Sequence, residues 1–192
     1  MTISGKPFRF VVALLTLLSA LLQAPMAQAQ ARDSTPDIVR QVKAAYLFKF
    51  GNYVLWPPQT FANDQSPIVI GVVAEDRLAD ELERIAVGRT ISTRPVAIKR
   101  LQPGEMVSGV HILFIGQGEA SPSNWLLPLK GQPVLGVTEG ESGLVPGGAI
   151  NFVLDNNRVR FDVSLAAAEQ NHLQLSAALL SVARKVKKDD VE

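Results

Sequence analysis

Apolar and polar positions along the chain alternate between two periods. A continuous β-branched run, Ile68-Val69-Ile70-Gly71-Val72-Val73, lies between Pro67 and polar residues, which predicts a strand covered on both faces. Pro95 to Ile98, His111 to Ile115 and Pro133 to Val137 predict three more strands. Helical spacing appears between them. Thr35-Pro36-Asp37 reads as a helix start, with a cap, a first-turn proline and a favourable acid, and Ile38, Val42, Ala45, Leu47 and Phe48 follow. Gly51 and Asn52 are expected to weaken or end that helix, and Pro57-Pro58 forbids its continuation. Residues 76–86 predict a second helix, with Leu78, Leu82 and Ile85 on one side; Ser121 to Leu129 predict a short third.

The last third changes character. Ile150 to Leu154 and Val159 to Val163 flank Asn156-Asn157, two residues that tolerate positive φ, which predicts a hairpin at the end of the sheet. Helices are expected from Leu165 to Asn171 and from Ser176 to Lys187, the second capped by Ser176. The pattern is that of one α/β domain of three-layer type: a mostly parallel central sheet, ending in an antiparallel hairpin and flanked by helices.

The N-terminus carries a different signal. Lys6 and Arg9 precede a mostly apolar stretch from Phe10 to Leu22, and Ala27-Gln28-Ala29 follows Pro25. This is the composition of a cleaved secretory leader over residues 1–29, with the cut before Gln30 or, alternatively, after Ala31. The apolar core from Phe10 to Leu22 is well short of the roughly 20 residues needed to cross a bilayer, which counts against an uncleaved anchor. Residues 30–192 then form the mature domain, long enough for one sizeable core, in a compartment outside the cytoplasm.

Charge and composition narrow the function. The mature domain holds 17 basic and 18 acidic side chains, since Lys6 and Arg9 leave with the leader, and a net charge of −1 gives no footprint for nucleic acid. The cluster Arg184, Lys185, Lys187 and Lys188 is diluted by Asp189, Asp190 and Glu192 and reads as a solvated helix end. Without any cysteine there is no disulfide, thiolate metal site or cysteine nucleophile. His111, at the start of a buried strand, and His172, in a turn, are the only histidines and stand in no metal-binding spacing. There is no GxSxG elbow, and Glu139 and Glu141 read as loop acids. Gly116-Gln117-Gly118 lacks the third glycine and the lysine of a phosphate cradle and reads as a strand-to-helix turn. No cofactor is expected.

Aromatic residues are concentrated in one place: Tyr46, Phe48, Phe50, Tyr53 and Trp56 follow one another closely in the stretch that ends at Trp56-Pro57. They either close the core or line a groove for a partner, since aromatic side chains carry much of the energy of interfaces. Tyr53, Trp56 and Pro57, with His172, are the candidate contact residues for a partner or ligand.

Several segments together resemble the YfiR family of exported regulators. They are Val42 to Phe50 running on to Trp56-Pro57, His111 to Ile115, Val134 to Thr138, Gly147 to Phe152 and Asn157 to Ala168, in family order across about residues 38–186. The resemblance implies a small periplasmic α/β domain that represses a membrane-bound diguanylate cyclase by binding its periplasmic sensor part. It further implies an outer-membrane lipoprotein that removes the repressor and releases cyclic-di-GMP synthesis and biofilm formation. Members of that system tie their state to redox conditions through cysteines; where such members have a cysteine before the His-Ile-Leu-Phe strand, this chain has Val110. Three functions stay open at this point: a non-catalytic regulator of a cyclase or sensor kinase, possible also as a homodimer; a periplasmic small-molecule binding module; and an enzyme of unrecognised type.

Overall fold

Two apolar runs lie at the centre of the sheet because neither has a polar face to offer water. In the computed structural model, which describes residues 35–189, these are β2 (Ile68–Val73) and β5 (Ile112–Ile115), paired in parallel. The leader expected at residues 1–29 lies outside the described residues. Alternate positions serve two cores. Ile68, Ile70, Val72, Ile112 and Phe114 face the larger one, whereas Val73, Leu113 and Ile115 face the smaller.

The larger core is roofed by α1 (Thr35–Tyr53) and α2 (Asp76–Ala86), through Ala44, Leu47, Phe48 and Phe50 of the first and Leu78 and Leu82 of the second. On the opposite face α3 (Pro122–Leu126) and a single 3-10 turn, Leu127–Leu129, add Leu126 and Leu129 to Leu101, Val110, Leu113 and Val134. The sheet thus has helical cover on both faces, the expected three-layer arrangement.

Eight strands form this sheet in the order β10-β8-β7-β6-β5-β2-β4-β3. β6 (Leu135–Glu139) and β7 (Ile150–Asp155) continue the parallel set on one side of β5, and β4 (Arg94–Leu101) pairs in parallel on the far side of β2. β7 and β8 (Arg158–Ser164) form the expected antiparallel hairpin, turning at Asn156 and Asn157 with φ of 48° and 60°. β3 (Thr90–Ile91) caps the other edge by an antiparallel turn onto β4.

Two expectations are corrected and one element is added. The hairpin does not end the sheet. The helix expected from Ser176 to Lys187 runs only through α5 (Ala177–Val182), and the chain then enters β10 (Lys185–Lys187), parallel to β8. The cause is Arg184, whose Nε and Nη2 donate to the two carboxylate oxygens of Asp162 at 2.8 and 2.6 Å, while its backbone N–H donates to Phe161 O at 2.8 Å. The Asp162 side chain is almost fully buried, so this two-point pairing outweighs one more helical turn. Secondly, α1 continues through Gly51 and Asn52 to Tyr53. Gly51 has Ile91 of β3 against it, and the Asn52 side-chain oxygen accepts from Ser92 N–H at 3.2 Å, so tertiary contacts override weak helix propensity. Thirdly, a separate two-stranded ribbon joins β1 (Val54–Leu55) to β9 (Gln174–Leu175), strands too short to leave a period in the sequence. α4 (Leu165–Gln170) precedes β9 and is capped by Ser164 Oγ, which accepts from Ala167 N–H at 3.2 Å.

The Gly51 contact is testable. A Cβ built there would sit 2.6 Å from Ile91 Cδ1 and 2.7 Å from Cγ2. Gly→Ala in an ordinary helix stabilises by up to ~1 kcal/mol, but Gly51→Ala is expected to destabilise by about 1–3 kcal/mol through overpacking. Chemical denaturation of Gly51→Ala, alone and with Ile91→Val, measures it; partial relief in the double variant is expected, and a more stable single variant refutes the contact's importance.

Candidate partner interface

The 19-residue α1 places aromatic residues four apart on one face, over the antiparallel end of the sheet. Tyr46 stacks on Phe50 with centroids 5.9 Å apart, and Phe50 stacks on Phe152 of β7 at 5.7 Å. Phe161 of β8 meets both Tyr46 and Phe50 edge-on, at 5.5 and 5.2 Å. Tyr46, Phe50 and Phe161 form the floor of a groove between α1 and α5. Its cavity of about 220 Å³ is lined further by Lys49, Tyr53, Ala178, Leu179 and Val182. The floor is buried and the rim is not. Phe50, Phe161 and Leu179 are buried, whereas Tyr53 is 41 % and Val182 58 % exposed, with Lys49 also in solvent.

The four residues singled out from the sequence are distributed over this region in different ways. Tyr53 closes α1 and stands on the groove rim. Its carbonyl accepts from Ser176 N–H at 2.9 Å, which ties the end of α1 to the cap of α5. The β1–β9 register pairs Val54 with Leu175 and Leu55 with Gln174; Pro57 follows β1 and His172 precedes β9, both outside the paired residues. His172 is exposed, with φ of 58°, and its N–H donates to Glu169 O at 2.9 Å. Pro57 is half-buried and begins the 3-10 turn Pro58–Thr60. Trp56 is different: it is 8 % exposed and belongs to the larger core, so of its two readings the structure realises core closure.

Trp56 packs edge-on against Phe61 and His111, at 6.5 and 6.4 Å between centroids. Phe61 lies flat on the His111 ring at 4.8 Å, and Arg94 lays its guanidinium on the Phe61 ring at 3.9 Å. His111 Nδ1 accepts from Val69 N–H at 3.0 Å, which requires the unprotonated nitrogen. Burial first, and the Arg94 charge second, hold the His111 pKa below the ordinary histidine value. Phe61 and Arg94 escape sequence reasoning, because neither has periodicity or a motif and they lie far apart in the chain. The α5 rim escapes it too, since Ala178 and Val182 look like ordinary helix residues.

The ends of the parallel strands are occupied otherwise. Neighbours of β2 lie on both sides of it in the chain's path, so the crevice beyond β2 and β5 is the switch point at which open α/β sheets hold ligands. Here α1 crosses it. Lys43 pairs with the buried carboxylate of Glu139, which also accepts from Gln117 N–H at 3.1 Å. Arg40 bonds Asp37 at 2.6 Å and lies 3.6 Å from Glu75. The crevice is left as two lobes of about 200 and 400 Å³, both bordered by Lys43 and Glu139. The turn Gly116-Gln117-Gly118 gives its first two N–H groups to Val73 O and Glu139, leaving them unable to cradle a phosphate. Among the described residues no cluster of three His, Asp or Glu side chains could hold a metal ion, and no helix is long and apolar enough to cross a membrane.

Trp56→Ala is expected to cost about 3–5 kcal/mol, the range for emptying a large aromatic site, whereas Tyr53→Ala at the exposed rim is expected to change stability by less than about 1 kcal/mol. Thermal unfolding of the two variants side by side checks this; equal midpoints refute the assignment of Trp56 to the core and Tyr53 to the surface.

A model of a protein family described as YfiR/HmsC-like matches residues 40–184, which run from the first half of α1 to the Arg184 anchor of β10. A search of curated proteins gives no match. The matched stretch covers well over half of the chain and contains the groove and the whole sheet up to Arg184, so the chain belongs to the YfiR/HmsC-like family.

Proposed function

We propose that this protein is an exported, non-catalytic regulator that represses a membrane-bound diguanylate cyclase by binding its periplasmic part. The observation that carries the reading is the groove between α1 and α5: apolar and aromatic inside, open along one side, with Tyr53 and Val182 on its rim and Lys49 as its cation. Exposed aromatic and aliphatic side chains around an apolar floor are what a protein interface uses for its central contacts. The YfiR/HmsC-like family supports a regulator in the periplasm. An outer-membrane lipoprotein that competes for the repressor is the natural release step in this scheme. Export rests on the leader, with Gln30 as the mature N-terminus.

One observation favours a second reading, a periplasmic small-molecule binding module. The larger strand-end lobe, about 400 Å³, is within the size of a small-ligand site and has Val39, Phe152 and Leu154 beside Lys43 and Glu139. Its Lys43 and Glu139 are already paired with each other, so a ligand that uses either has to break that pair.

Val182→Asp separates the readings, since it puts a charge on the groove rim at a residue that lines neither strand-end lobe. Affinity of the mature protein for the cyclase's periplasmic domain is expected to fall at least tenfold, with thermal stability kept, and cells carrying the variant are expected to show raised cyclic-di-GMP, as in a deletion. Unchanged affinity and nucleotide level, with loss of function instead in Glu139→Gln, refute the groove and favour the ligand module. Intact mass of the protein recovered from the periplasm is expected to correspond to a chain starting at Gln30; a membrane-bound species retaining Met1 refutes cleavage.

A further inference from the structure

The column Arg94–Phe61–His111 has no part in the proposed interface, yet it fastens a whole loop. Arg94 of β4 donates through Nη1 to Asn63 O at 2.7 Å and Ser66 O at 3.1 Å, and its guanidinium covers Phe61. The other face of Phe61 rests on His111, whose Nδ1 accepts the Val69 N–H at the start of β2. Beyond the burial of Trp56 in the core, the segment from Trp56 to Ser66 is therefore held down by one ring stack and one cation. It gains little from polar contacts to the core: Trp56 Nε1 and Thr60 Oγ1 are both buried without a hydrogen-bond partner. Each such atom opposes docking of the loop.

We propose that His111, Phe61 and Arg94 form an acid-sensitive catch that holds the Trp56–Ser66 segment closed at neutral pH and releases it on acidification. Protonation turns Nδ1 from an acceptor into a donor facing the Val69 N–H, so the bond becomes a donor–donor clash. The groups facing His111 do not compensate. Val69, Phe61 and Trp56 are uncharged; the charged neighbours are Arg94 across the Phe61 ring, which repels the imidazolium, and Asp64 beyond it, exposed and 3.9 Å from Arg94. The unfolded chain takes up this proton near pH 6.5 and the folded chain only at lower pH. The closed state is thus fully supported above about pH 6.5 and loses that support as the pH falls through the lower folded value. Trp56 leads directly from β1, so release of the loop pulls on the ribbon that ties Tyr53 to α5. That last link, and the exposure of the domain to external pH, rest on the function proposed above; the catch itself does not.

The molecule's own reporters suffice for a test that needs no partner. Trp56 and Trp125 are its only tryptophans, and His111 and His172 its only histidines. In mature Trp125→Phe protein, Trp56 emission is expected to shift to the red between pH 7.5 and 4.5 in one transition with its midpoint below 6.5, while far-UV circular dichroism stays folded. The His111 ring protons are expected to titrate in NMR with the same midpoint. His111→Asn, which can still accept from Val69 but cannot be protonated, is expected to abolish the transition, and His172→Ala to leave it intact. Should His111→Asn fail to fold, coincidence of the NMR and fluorescence midpoints carries the test. Constant Trp56 emission, a transition that survives His111→Asn, midpoints that do not coincide, or a transition that coincides with global unfolding each overturns the catch.

Discussion

The structure depends on how α1 lies across the sheet. One helix of 19 residues reaches from one side of the sheet to the other: Gly51 against Ile91 of β3, Arg40 beside Glu75, Lys43 on Glu139 at the end of β6, and Tyr46 and Phe50 on Phe152 and Phe161 of the hairpin. Without cysteines, no covalent staple fixes that placement. Stacked and edge-on rings do so instead, because aromatic pairs prefer particular offsets and angles and so fix orientation as well as burial. Every candidate surface inherits its geometry from this crossing. The groove exists because α5 approaches the far end of α1 without covering it, and the strand-end crevice is divided because the near end of α1 spans it.

Much of the fold was legible because its signals are local. β2 and β5 are buried on both faces and therefore continuous in their apolar residues, and Asn156-Asn157 mark a turn whose positive φ few other residues accept. The failures share one physical cause, a distant partner that outweighs local preference. Residues 183–187 have the composition of a helix end, yet Asp162, back on β8, draws Arg184 to the sheet and the chain follows into β10. Gly51 looks like a helix breaker and is a contact point for Ile91.

The candidate site was legible only as a region. The aromatic spacing from Tyr46 to Trp56 marks the right end of α1, but a sequence does not tell which ring faces the core. Trp56, the largest of them, is buried behind Phe61 and His111, while Tyr53, three positions earlier, stands at the rim. The opposing wall comes from α5, near the far end of the chain from Tyr53, with side chains of no distinctive chemistry. Pro57 and His172 lie just outside the paired residues of the β1–β9 ribbon, and their side chains line none of the groove.

The absence of cysteine changes which chemistry can report on surroundings. Val110, just before β5, is buried in the smaller core with Leu101 and Leu113, with no reactive group. The next residue is His111, whose ring lies on the other side of the strand, between Phe61 and the Val69 amide. An imidazole there answers to protons, and burial beside the Arg94 charge lowers the pH at which it does so. The same stretch of chain, at the entry to the central strand β5, is thus placed to couple the packing of the core to conditions outside it. In this molecule the one titratable ring at that entry is also the one that holds the loop following Trp56.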